Sequence, residues 1–125
     1  MELNKEDIYK NILKEYSQNS FENVQKLSLE YLKEFPNEIK ILNVLGAVSA
    51  QKKEFSKSLE YLKKTVDIKK DYFIGYNNIG LVYRSLEDHK NALDCFKKAI
   101  KYKNDYTEAY NNLGITYQSL NKIEK

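Results

Sequence analysis

Tyr76-Asn77-Asn78-Ile79-Gly80-Leu81-Val82-Tyr83-Arg84-Ser85-Leu86 returns as Tyr110-Asn111-Asn112-Leu113-Gly114-Ile115-Thr116-Tyr117-Gln118-Ser119-Leu120. The two strings lie 34 positions apart, and Gly46 precedes Gly80 by the same 34. A fixed period in the range of roughly 20 to 50 residues signals a stack of small units, none of which buries its apolar face alone. Within residues 73 to 106, Tyr76, Ile79, Gly80 and Tyr83, and then Ala92, Phe96 and Ala99, follow the three-to-four spacing of one helical face. The polar break Leu86-Glu87-Asp88-His89 between them has the length of a hairpin turn. Each unit therefore reads as two antiparallel helices.

Carried along the chain, this period predicts seven helices, at about 5–17, 21–34, 38–51, 55–68, 72–85, 89–102 and 106–119. Asn4, Asn37, Asp71 and Asp105 stand where first helices need a capping oxygen, and Glu108 completes a capping box with Asp105. The turns before second helices carry Asn19, Lys53, Glu87 and Asn121, and asparagine enters left-handed backbone readily. The first unit fits less well. Tyr9, Ile12 and Tyr16 match the first helix and Phe21, Val24, Tyr31 and Pro36 the second, but the halves align only if one residue is lost between them.

The totals agree with a soluble, folded chain. Of 125 residues 42% are hydrophobic, with one proline and four glycines, and no apolar run approaches the ~20 residues of a membrane span. The first thirty residues lack the apolar core of a signal peptide, so a cytoplasmic location and no membrane insertion are expected. A net charge of +3, dispersed along the chain, does not predict nucleic acid as a partner. Cys95 is the only cysteine, which excludes an internal disulfide, and its neighbours Leu93 and Phe96 place it at the edge of the core.

Catalytic chemistry finds no support. His89 is the only histidine and falls in a turn where Phe21 and Phe55 are its counterparts, so it reads as a packed turn residue. The adjacent acids Glu6-Asp7 and Glu87-Asp88 suit helix starts, glycines occur singly, and metal-ligand spacing is missing. No enzyme activity, cofactor or metal is expected.

The pattern aromatic-x2-Leu-Gly-x2-Tyr, Ala-x3-Phe resembles the tetratricopeptide repeat (TPR) family. Residues 73–106 match it at Tyr76, Ile79, Gly80, Tyr83, Ala92, Phe96 and Ala99, with Asn104 in place of the usual proline. Residues 39–72 keep Leu42, Leu45, Gly46 and Ser58 but put Ser49 and Leu62 where tyrosine and phenylalanine are usual. The resemblance implies an all-α, right-handed solenoid of antiparallel helix hairpins. It forms one domain over 1–125, with repeats at about 5–38, 39–72 and 73–106 and a half repeat at 107–125. Lys122-Ile123-Glu124-Lys125 looks like the start of a further second helix. Tyr110, Leu113, Tyr117 and Leu120 keep the pattern of an internal helix, so either the array continues or the 107–120 helix packs on something else, including another copy of the chain.

The resemblance further implies a non-catalytic protein-interaction module that binds a peptide segment in a concave groove lined by first helices. By the family pattern the groove carries Asn43 and Ala47 with Lys40 and Gln51, then Asn77, Asn78, Leu81 and Arg84 with Ile74, then Asn111, Asn112, Ile115 and Gln118 with Glu108. An amide offers donor and acceptor together and can pair with a peptide backbone whatever its sequence. Asn78 and Asn112 resemble the asparagine ladder in the superhelix of O-linked N-acetylglucosamine transferases, a ladder that Val44 interrupts in the second unit. Replacing both by Ala is expected to weaken a ligand without unfolding the protein. A recruiting arm of a larger enzyme such as a glycosyltransferase, or a self-assembling scaffold, are the alternatives. The clamp by which some relatives hold chaperone tails is not expected, because Lys14, Val44, Ile74 and Asn78 stand where Asn, Asn, Lys and Arg are wanted. The lysines Lys63, Lys64, Lys69, Lys70, Lys97, Lys98, Lys101 and Lys103 read as a solvated face near helix C-termini.

Overall fold

The computed structural model describes residues 4–124, which form α1 (Lys5–Ser17), α2 (Phe21–Glu34), α3 (Ile39–Gln51), α4 (Phe55–Ile68), α5 (Phe73–Ser85), α6 (His89–Tyr102) and α7 (Thr107–Glu124). Met1–Leu3 and Lys125 lie outside the described residues. Packing divides the chain into two compact units, Met1–Ile68 and Lys69–Lys125. In the first, α1 packs on α2, α2 on α3 and α3 on α4; in the second, α5 packs on α6, α6 on α7 and α5 on α7.

The turns explain why the period is so strict. Asn19, Lys53 and Glu87 take left-handed backbone at φ 58, 62 and 60°. Around each, the N–H of the next residue reaches back five positions, Ser20 to Glu15 O, Glu54 to Ser49 O and Asp88 to Tyr83 O, at 3.0, 2.8 and 2.9 Å. These bonds satisfy the last carbonyls of α1, α3 and α5 in Schellman geometry. Between hairpins, Glu38, Tyr72 and Tyr106 donate to the carbonyls of Phe35, Lys69 and Lys103, again one period apart. Tyr76 and Tyr110 each tie their hydroxyl to the carbonyl six residues upstream, of Lys70 and Asn104, at 3.1 and 3.0 Å. The repeated tyrosine thus pins the turn that feeds its own helix.

The same turns correct three capping expectations. Asn4 caps α1, accepting from the Asp7 N–H at 2.8 Å. Asn37 and Asp71, however, fall inside the turn, and the caps are Glu38 and Tyr72, neither making a side-chain cap bond. Asp105 likewise sits within the 103–106 turn and pairs with Lys103 at 3.1 Å instead of forming a box with Glu108. That hydrogen bond and the lysine charge hold its carboxyl below the usual range. Asn121 is a further correction. No turn occurs there, and α7 runs on to Glu124 in place of ending near 119 and starting a second helix. Left-handed backbone costs roughly 1–2 kcal/mol outside glycine. At 19, 53 and 87 the packing of the following helix offsets that cost; none of the described residues packs there after α7.

Size matching between paired helices sets the core. A Cβ on Gly46 would lie 2.5 Å from Leu62 Cγ, and one on Gly80 would lie 2.5 Å from Phe96 Cε1. Leu62 and Phe96 are fully buried, and Ser58 and Ala92 lie four residues before them, also fully buried. Ser58 Oγ donates to the Gly46 carbonyl at 2.6 Å, so even the polar member of this seam is satisfied. The α1–α2 hairpin obeys the same 34-residue frame with no residue lost, since α1 and α2 begin one period before α3 and α4. Its volumes are exchanged: Ile12 occupies the glycine position and Ser28 the bulky one, both fully buried. Aligning on Tyr9 as the family aromatic created the apparent slip; Ile8 holds that register position. Ile12, Val24, Tyr31, Ile41, Val44 and Val48 form the core around this pair.

Candidate functional site

Spacing alone puts Asn77, Leu81 and Arg84 on one side of α5 and Asn111, Ile115 and Gln118 on one side of α7. The structure joins the two helices there by polar bonds. Arg84 Nη1 donates to Asn112 Oδ1 at 3.4 Å, and Asn112 Nδ2 donates to Asn77 Oδ1 at 3.0 Å. The Asn77 amide in turn donates to the Tyr106 hydroxyl, whose O–H is directed to Glu108 Oε2 at 3.4 Å. Donors and acceptors alternate in one sense, from the cation at Arg84 to the carboxylate at Glu108. Such a row polarises along its length and strengthens each member. Burial, then the Glu108 charge, pushes the Tyr106 phenol up to about 12, so it remains a donor throughout the neutral range.

This arrangement sorts the expected groove residues. Asn78, Leu81, Arg84 and Asn112 are half-buried, while Asn111, Ile115 and Gln118 are exposed. Asn77 is only 2% exposed and both ends of its amide are engaged, so it supports the face from behind and does not offer itself to a ligand. Asn112 is bonded to Asn77, a period plus one residue away. Asn43 and Ala47 lie half-buried on α3, in the other compact unit. Tyr106 was not among the expected residues; the signal was its repetition of Tyr72 one period earlier, Tyr72 being buried and Tyr106 half-buried.

Elsewhere, Asn4, Lys5, Glu6, Tyr9, Tyr31, Glu38 and Lys40 line an open cavity of about 660 Å³ in the first unit. The buried Tyr31 hydroxyl at its wall has no hydrogen-bond partner, and burial, then Glu38, raises its pKa. His89 opens α6 half-buried, Cys95 is half-buried, and no cluster of three or more metal-ligating side chains occurs among the described residues. No helix among them is long and apolar enough to cross a membrane. The lysines of α6 are exposed, and several lie over rings: Lys97 over Tyr117 at 6.0 Å and Lys98 over Tyr76 at 5.7 Å.

The TPR repeat family matches residues 80–121. No curated protein sequence matches the chain. Among solved structures, the first TPR domain of Spaghetti (RPAP3) bound to the HSP90 peptide SRMEEVD is similar, with a TM-score of 0.86, 15% identity, and coverage of 93% of this chain and 92% of that one. The Sgt2 TPR domain from Aspergillus fumigatus gives a TM-score of 0.89 at 14% identity over 96% of this chain and 81% of that one. The O-GlcNAc transferase of Thermobaculum terrenum gives 0.81 at 15% identity over 93% of this chain, which spans 23% of the transferase. At these identities the likeness is one of fold. The chain is all-α, its seven helices among the described residues packed as successive hairpins in a TPR-like fold.

Proposed function

We propose that the chain is a non-catalytic interaction module that binds a peptide segment of another protein on the α5–α7 face. The observation that carries this reading is the composition of that face. Amide groups of Asn78, Asn111 and Gln118 stand beside Leu81 and Ile115, and Ile115 is 48% exposed. Backbone-pairing amides interleaved with apolar side chains suit an extended peptide, which gains affinity from main-chain hydrogen bonds and selectivity from alternate side chains. The peptide held by the Spaghetti TPR domain supports the reading by analogy of fold. A cytoplasmic location belongs to the same proposal.

The chaperone-tail clamp is not part of it. Val44 is buried and apolar, and Ile74 and Asn78 occupy the positions where that clamp takes a lysine and an arginine.

The test is panning of a random dodecapeptide library on the full chain, followed by titration of synthesised hits against variants. The variants are Asn78→Ala and Asn111→Ala, the second at an exposed position. The double variant is expected to lose about tenfold in affinity with an unchanged melting temperature, whereas Lys63→Ala with Lys64→Ala loses nothing. Hits that bind the Asn variants undiminished place the site elsewhere and overturn the reading.

A further inference from the structure

Arg84 is the only arginine among 21 basic residues. It is half-buried, and its partners within the described residues are two: the Asn112 amide oxygen at 3.4 Å and the Phe96 ring, whose centroid lies 6.0 Å from the guanidinium carbon. No carboxylate of the described residues lies within ion-pair distance of it; in its own unit Asp105 pairs with Lys103. A guanidinium carries five N–H donors in a planar fork, and the single long bond to Asn112 uses one of them. Taking such a cation partly out of water without a counter-charge is costly, and its fork geometry matches a carboxylate in a two-bonded arrangement that a lysine cannot reproduce.

The surroundings position this group. Asn112 is locked by its bond to buried Asn77, which is held in turn by Tyr106, so the oxygen that orients Arg84 cannot rotate away. The Phe96 ring that the guanidinium approaches is itself fully buried and wedged against Gly80. Leu81 lies one turn before Arg84, and Ile115 one turn after Asn112. Cation, aligned amide, half-buried Leu81 and exposed Ile115 together define a short recognition code.

We propose that Arg84 is the anchor for a carboxylate of the bound peptide, so that the partner segment is acidic, with an apolar side chain close to the acid. This rests on the reading of the α5–α7 face as a peptide site. Asn112 is the positioning residue, acting through Arg84. The anchor differs in position from the chaperone-tail clamp, which would call for arginine at Asn78.

The carboxylate has two possible sources, an Asp or Glu side chain or a chain terminus, and one experiment separates them. Positional-scanning pools of acetylated nonapeptides are prepared with amidated and with free C-termini, and their retention is measured on the full chain, Arg84→Gln and Arg84→Lys. Circular dichroism melting of each variant reports folding. The expected result is retention of pools with Asp or Glu at a fixed position at least about tenfold above their Asn or Gln isosteres, or of free-acid pools above amides. Arg84→Gln removes that preference, and Arg84→Lys, which keeps the charge and loses the fork, retains part of it. Pools retained with no preference for a carboxylate, or a preference that survives Arg84→Gln, overturn the anchor and leave the peptide site standing. Retention of nothing overturns both. Arg84-dependent binding of oligouridine in place of any peptide pool also overturns the proposal, with RNA as the partner class.

Discussion

The α5–α6 hairpin and α7 begin from nearly the same sentence of residues and end as different structures. In the hairpin, Gly80 admits Phe96 so closely that a single added carbon would collide at 2.5 Å. In α7, Gly114 has nothing within 4 Å of where its Cβ would stand. Tyr76 stacks on Tyr102 at 5.6 Å between centroids, while Tyr110 makes the same hydroxyl bond to its turn and stands 49% exposed. Asn77 is buried beneath the α7 bond, and Asn111, its equivalent, is exposed. Local sequence therefore specifies the helix and the turn that feeds it, and a following helix gives each shared residue its role. The same glycine is a close-packing device in one place and an unused vacancy in the other.

That contrast breaks most visibly at Phe96. Phe96→Ala empties the seam beside Gly80 and is expected to cost about 3–5 kcal/mol in urea unfolding. A loss under ~1 kcal/mol would mean that the hairpin collapses around the gap and that the seam is not its organising contact. Next come the glycines themselves. Gly80→Ala is expected to destabilise by about 1–3 kcal/mol through overpacking. Gly114→Ala is expected to stabilise by up to about 1 kcal/mol, because only helix propensity changes there. Equal effects at the two positions would erase the comparison.

The amides give a smaller pair. Asn77→Ala strips the hydroxyl of Tyr106 and the amide of Asn112 of a shared partner, at an expected cost of about 1–3 kcal/mol. Asn111→Ala is expected to stay within about 0.5 kcal/mol of the parent protein. The smallest pair lies at the turns. Glu87→Gly relieves left-handed backbone and is expected to gain about 0.5–1 kcal/mol, whereas Asn121→Gly, inside α7, loses a few tenths. A gain at both positions would indicate that residue 121 visits a turn in solution.

Much of this was legible in the sequence, for a definite physical reason. The period reports which side chains face a neighbouring helix, and helix ends followed it to within one residue through six of the seven elements. What the sequence concealed depended on partners. The chain's own bonds decided that Glu38 and Tyr72 cap where Asn37 and Asp71 were expected, because a backbone turn claims the preceding residues first. Asn121 looked like a turn residue only on the assumption of a helix to turn towards. At the candidate site, the residue types on the face were readable, but the Asn77–Asn112 bond crosses repeats with an offset of one that no spacing rule contains. Arg84 stood in plain view as one basic residue among many until its lack of a carboxylate neighbour set it apart.

The exchanged volumes at Ile12 and Ser28 bear on how such a chain can be inherited and rearranged. Two hairpins fill the seam with a bulky residue on the second helix, and one fills it from the first. Duplication or recombination that moves whole hairpins carries each fitted pair intact. A crossover in the turn at 19, 53 or 87 would instead marry Ile12 to Leu62 or leave Gly46 opposite Ser28, one pairing overfull and the other hollow. The hairpin, and not the single helix or the 34-residue window taken at any phase, is the unit in which this molecule can be shuffled.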